Sequence, residues 1–203
     1  MIPHRRPTRS AASTVLTTAF VALAAAAIGC GGGSSTTTTS SGPVAAFAPD
    51  TPAPTAGTIA LLSGSSSGAS IDVRVTVTGV PNFFGAAFRI NYDTTALLFN
   101  GMTDTNSLLR ANGVTDLIFQ EDHQMTPGEI VIAATRKNPT PPVDVTTTAD
   151  LVVLNFTARK VILAGAVEGR VDFGDPKEAC DGSVALCGPI TVTWSGGGVS
   201  AHQ

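Results

Sequence analysis

Aromatic and charged side chains are scarce in this chain. Phe, Trp and Tyr make up 5% of its 203 residues, with one Trp and one Tyr, and Asp, Glu, Lys and Arg make up 13%. So few aromatic rings exclude a ligand site built from several stacked platforms, and no basic cluster exists to neutralise phosphates, which argues against nucleic acid. Cysteine is limited to Cys30, Cys180 and Cys187. A zinc site around the last two would need two further soft ligands that the neighbouring sequence does not offer. No paired carboxylates, phosphate-binding loop or cofactor fingerprint stands out, so the chain reads as non-enzymatic and without a cofactor. Sustained helical periodicity is missing as well, which leaves an all-β reading.

Charge is absent altogether between Arg9 and Asp50. Before that gap stand Arg5, Arg6 and Arg9, and within it an apolar run from about Val15 to Ile28 ends at Gly29 and Cys30. A basic head followed by a short apolar stretch reads as an export signal over residues 1–29, too short to span a bilayer comfortably. Ala27, Ile28, Gly29 and Cys30 resemble the lipobox of bacterial lipoproteins, with Ala27 where leucine is usual. That resemblance implies lipidation of Cys30 and an exported chain anchored to the cell envelope, at the outer membrane or cell surface. Ordinary cleavage after the alanine run and an uncleaved anchor are the alternatives. Without the three arginines of the leader, nine basic side chains face fifteen acidic ones, a mature charge of about −6 and the balance expected of a soluble extracytoplasmic module.

Residues 30–57 are rich in Gly, Ser, Thr, Pro and Ala, a composition that buries too little apolar surface to offset chain entropy, so they are expected to form a disordered tether. From Thr58 to the C-terminus, alternating apolar and polar residues recur between turn signals. In 71–78, Ile71, Val73, Val75 and Val77 alternate with Asp72, Arg74, Thr76 and Thr78; in 83–92, Phe84, Ala86, Phe88, Ile90 and Tyr92 oppose Gly85, Ala87, Arg89 and Asn91. Strands are expected at 58–62, 71–78, 83–92, 96–102, 116–120, 129–136, 151–160, 169–173 and 190–194, with a helical turn near Leu108 and Leu109. Nine short strands at this spacing predict an antiparallel jelly-roll sandwich over residues 58–203. Cys180 and Cys187, close in sequence in an exported chain, are expected to form a disulfide.

Three constellations carry possible chemistry. Gly64, Ser65, Ser66, Ser67 and Gly68 match the spacing of a nucleophile elbow, but a strand follows where that motif needs a helix. Gln120, Glu121, Asp122 and His123 form a polar cluster, read as a solvated loop. Asp172, Asp175, Glu178 and Asp181 are weak candidates for calcium, lacking the alternating spacing of a calcium loop.

The stretch Gly85 to Phe88 with Tyr92, Asp93 and Leu97, supported by Gly128 to Ala134 and by Leu151 to Arg159 with Phe156, resembles the cohesin family over most of residues 58–201. Thr94 stands where the family usually has proline. The resemblance implies a dockerin-bearing protein partner received on one flat sheet face. The contact positions it implies here are Gly85, Ala87, Arg89 and Asn91 on one strand, Ala133 and Arg136 on another, and Lys137 and Asn138 in the following loop, with Arg89, Asn91 and Arg136 as hydrogen-bonding rim groups. Two other readings compete with it. One is a polysaccharide-binding sandwich of the carbohydrate-binding-module type using Trp194; the other is a structural surface lipoprotein with no dedicated ligand.

Overall fold

The computed structural model describes residues 42–182 and 187–203, which belong to one compact unit, residues 39–203. The export signal, Cys30 and the first part of the expected tether lie outside the described residues.

The alternation in the sequence becomes two facing sheets. In the first, strands lie in the order β1 (Val44–Pro49), β13 (Gly197–His202), β10 (Arg170–Asp181), β4 (Val80–Tyr92), β7 (Glu129–Arg136) and β6 (Leu117–Asp122), with short β11 (Gly188–Ile190) beside β10 and β8 (Val143–Val145) beside β4. The second runs β12 (Thr193–Ser195), β2 (Thr58–Ser67), β3 (Ser70–Thr78), β9 (Ala149–Ala158) and β5 (Leu97–Thr103). Every pairing is antiparallel except that of β12 with β2. This is the expected all-β sandwich, and the core lies between the sheets. Val73, Val75 and Val77 of β3, Leu154 and Phe156 of β9, Phe88 and Ile90 of β4, and Ile130 and Ile132 of β7 are all buried there. Each contributes roughly 1.5–3 kcal/mol of transfer free energy, an upper bound because a real unfolded chain already hides some apolar surface.

Thirteen strands are present among the described residues, against nine expected, and the differences have local causes. The expected last strand, 190–194, is two elements in different sheets: residues up to Ile190 pair with β10, and those from Thr193 pair with β2. The expected tether is corrected in its second half. Val44–Pro49 pairs with β13 over six residues, from Val44 opposite His202 to Pro49 opposite Gly197, and buries Ala45 and Phe47. Asp50 N–H then donates to the Gly196 carbonyl at 3.0 Å, and Gly57 N–H to that of Thr78 at 2.8 Å. A guanidinium secures the junction, for Arg170 reaches both Asp50 oxygens at 2.7 Å and also Asp172 at 2.5 Å. The folded module therefore begins near residue 44. The helical turn near Leu108 is present as Leu108–Gly113, opened by the Ser107 side chain accepting from Leu109 N–H at 3.3 Å.

Candidate functional site

The outer face of the first sheet is built by register. Across β4 and β7, Gly85 lies opposite Thr135, Ala87 opposite Ala133, Arg89 opposite Val131 and Asn91 opposite Glu129. On one flank β6 places Ile118 beside Thr135, Gln120 beside Ala133 and Asp122 beside Val131. On the other, β10 places Asp172 beside Asn91, Gly174 beside Arg89, Glu178 beside Ala87 and Cys180 beside Gly85. Side chains alternate across a strand, so all of these share the outward face.

Its centre is small and apolar. Ala87 and Ala133 stand side by side, and three shallow hollows of about 350, 230 and 490 Å³ meet at Ala133. The first is also lined by Arg89, Val131, Pro176 and Glu178; the second runs to Thr135 and the cysteine pair; the third lies over Phe119 to Asp122. Val131 and Ile118, each 37% exposed, supply the larger apolar contacts. Gly85 is small for a steric reason, since a Cβ there would lie 2.6 Å from the Thr135 Cβ and Oγ1. The Thr135 side chain covers that spot.

Charge flanks this centre. Arg89 is held by Glu129 at 2.5 Å, while Glu178, Asp122 and Gln120 are exposed. Asn91 lies against Gly174, where a Cβ would come within 2.6 Å of its Nδ2. Lys137, exposed, meets Asp116 at 3.0 Å, and Asn138 follows it on the surface. Cys180 and Cys187 form the expected disulfide, with Cα atoms 5.2 Å apart, at the end of the face where Gly85 lies.

Arg136 is the exception among the expected contact residues. Its exposure is only 2%, so it cannot be a rim group. The alternation that sends Ile130, Ile132 and Ala134 inward carries Arg136 inward too. There its guanidinium donates to main-chain carbonyls: Nε to Leu109 at 2.9 Å, Nη2 to Ala111 at 2.9 Å, and Nη1 to Pro141 at 2.5 Å and Pro142 at 3.4 Å. Burial pushes its pKa below the usual arginine value. Gly85, Ala87, Arg89, Asn91 and Ala133 do share the face, with Lys137 and Asn138 beyond the end of β7. Ile118, Gln120, Val131 and Thr135 belong to it too. Sequence reasoning missed them, although the alternation in 117–122 and 129–136 carries the signal.

Of the other constellations, Gln120 and Asp122 lie on this face within β6, not in the expected loop, and Asp172 and Glu178 lie on it within β10. Ser65 donates to Asp72 within the β2–β3 hairpin, a strand–turn–strand unit with no helix to support a nucleophile. His123 Nδ1 meets Glu121 at 2.5 Å and its ring packs on Phe99. Asp172 is taken by Arg170, and Asp175 by Lys177 at 2.6 Å. Among the described residues, no three His, Cys, Asp or Glu side chains are gathered in a manner that could hold a metal ion. Trp194 is half-buried, its ring 4.8 Å from that of Phe173 and 5.9 Å from that of Phe88.

Two facing sheets, with small residues at the centre of one outer face, define a β-sandwich module. The family model of the cohesin domain matches residues 56–177, and the chain belongs to that family, whose members are non-catalytic protein-interaction modules. A type II cohesin from Bacteroides cellulosolvens shares the fold, aligning over 76% of this chain and 96% of its own at 17% identity, with a TM-score of 0.51. A type II cohesin domain from the cellulosome of Acetivibrio cellulolyticus aligns over 78% and 95% at 13% identity, TM-score 0.49. The sixth cohesin of scaffoldin B from the same organism, solved in complex with a dockerin, aligns over 76% and 95% at 16% identity, TM-score 0.48. None of the curated proteins compared matches the chain.

Proposed function

We propose that this chain is an exported, lipid-anchored cohesin module that binds a dockerin-bearing protein on the outer face of β10, β4, β7 and β6. The observation that carries this reading is the pairing of Ala87 with Ala133 at the centre of that face, in a chain whose family is one of protein-interaction modules. Small side chains let a partner's backbone or helix approach closely, and the larger apolar surface of Val131 and Ile118 lies beside them. Charged groups, Arg89 and Glu178 among them, flank this apolar centre, as a polar rim flanks an interface core. Arg89 and Asn91 stand at one end of the face, Lys137 and Asn138 at the other. Arg136 serves from beneath, bracing the loop that carries Lys137 and Asn138.

The test is direct binding of the full mature chain to a panel of dockerins, together with capture of exported proteins. Ala133→Arg fills the meeting point of the hollows and is expected to abolish binding while the fold is retained. A folded chain that binds no dockerin and captures no protein would refute the reading. The anchor rests on the leader and Cys30 alone; Cys30→Ala is expected to move the protein from the membrane to the soluble fraction, and retention in the membrane would exclude it. The polysaccharide reading draws less support, because Trp194, the platform it would use, is half-buried and packs on Phe173 and Phe88.

A further inference from the structure

The loop between β9 and β10 holds an apolar surface that the docking face does not use. From Val161 to Val167 it reads Val-Ile-Leu-Ala-Gly-Ala-Val, without a polar side chain. Only Ile162 is buried, through its bridge to Ala201. Val161 is 47% exposed, Leu163 76% and Val167 83%. Ala166 N–H donates to the Leu163 carbonyl at 3.0 Å, and Gly165 takes a positive φ of 77° in that turn. Leu163 and Val167 are thus held out by tight turns, not left loose.

Where this loop sits follows from strand register. Ile162 lies beside Ala201, and Ala201 opposite Ala45, so loop, β13 and β1 meet at one level. Ala164 and Gly165 share a hollow of about 210 Å³ with Ala48 and Pro49 of β1. Val44, where the chain from Cys30 joins the fold, is 44% exposed at this same end. β10 starts at Arg170, next to Gly198, and runs to Cys180, next to Gly85. The apolar loop and Val44 therefore lie beyond one end of the first sheet, and Lys137, Asn138 and the disulfide beyond the other.

We infer that Leu163 and Val167, with Val161 and Val44 around them, form a membrane-contacting tip that rests in the interface of the bilayer holding Cys30. This rests on the lipid anchor proposed above. Cys30 and Val44 are fourteen positions apart; fully extended, that stretch reaches at most about 50 Å, and the chain from the anchor joins the module at this end. A few apolar side chains standing out from turns suit a deformable medium. A protein partner would need a continuous complementary surface of about 800 Å². Arg159 and Lys160, both exposed, precede the loop and suit anionic headgroups.

The test uses the full lipidated chain on vesicles of phosphatidylethanolamine and phosphatidylglycerol, with an environment-sensitive fluorophore placed by Leu163→Cys or Val167→Cys and, at the far end, by Lys137→Cys. The expected result is a blue-shifted emission at 163 and 167, quenched several-fold by spin-labelled lipid, with neither effect at 137. A chain that floats with the vesicles while its probe at 163 stays water-like overturns the inference and leaves the anchor standing. A blue shift without quenching by lipid also overturns it, and assigns the tip to a protein. A chain that fails to float refutes the anchor, and the inference falls with it.

Discussion

Replacing Arg136 by methionine separates its inward role from any role at the surface. The side chain fills a fully enclosed place, and methionine keeps much of that volume while removing every donor. Four hydrogen bonds are lost, to Leu109, Ala111, Pro141 and Pro142. They do not count equally. Leu109 is buried, so its carbonyl is left unpaired, whereas Pro141 is exposed and water can replace the guanidinium there. One buried acceptor left without a donor costs about 1–3 kcal/mol, and the partly wetted ones less, so a total of about 3 kcal/mol is expected. In a domain of this size that lowers Tm by about 6–12 °C. Arg136→Lys keeps the charge on a single point that cannot reach both segments, and should fall in between. Thermal and urea unfolding of the two variants decide the matter, with unchanged m-values as the sign that the folded state alone is affected. An Arg136→Met protein within about 0.5 kcal/mol of the parent would refute the brace. So would a variant of full stability that had lost partner binding, because that result would return Arg136 to the surface role first expected of it.

Three further outcomes are expected. Ala87→Arg, on the outer face, should leave Tm within about 2 °C of the parent and weaken partner binding at least 100-fold by calorimetry; equal weakening of stability would show the site to be structural. The Asp50 carboxyl is held below its usual range, chiefly by its hydrogen bond to Arg170 and further by that residue's charge. Its contribution to stability should therefore be full above the unfolded pKa of about 3.9 and fade as pH falls through the lowered folded value; Asp50→Asn should flatten that acid limb in pH-dependent melts, and an unchanged profile would remove the clamp from the account. Replacing Cys180 and Cys187 by serine opens a short loop and should cost about 2–3 kcal/mol by chemical unfolding, a loss that reduction of the parent protein should reproduce.

How much of this was legible in the sequence depends on how strongly each strand alternates. β3 carries Ile and Val at every second position, β7 has Ile130 and Ile132 and β9 has Val152, Leu154 and Phe156 in the same phase, and their spans are readable within two residues. β1 alternates too, but with Ala45 and Phe47 as its only buried apolar side chains, embedded in a Pro-rich, uncharged stretch that composition alone assigns to a tether. β13 is Gly-Gly-Val-Ser-Ala-His, and neither strand is recognisable without the other. Pairing is a long-range property, and Ala45 and its opposite, Ala201, come from the first and last strands of the module. For the candidate site, Gly85, Ala87, Arg89, Asn91 and Ala133 share one outward face because alternation decides the side to which each points. Arg136, which the cohesin resemblance puts on the contact face, follows the same alternation inward with Ile130, Ile132 and Ala134. Ile118 and Val131 lie on the outer face by the same alternation, and the contact positions that the resemblance implies do not include them.

The six-residue pairing of β1 with β13 has a mechanical meaning. If load enters the module at Val44 and leaves through a partner held on β4 and β7, the pull runs along β1, outward from its first residue. Sliding β1 past β13 then strains all six register pairs at once, with the fork of Arg170 on Asp50 directly behind them. A strand drawn sideways would instead peel one pair at a time and yield at low force. Stretching single molecules between the N-terminal side and the outer face of β4 and β7 should show one sharp rupture for this strand.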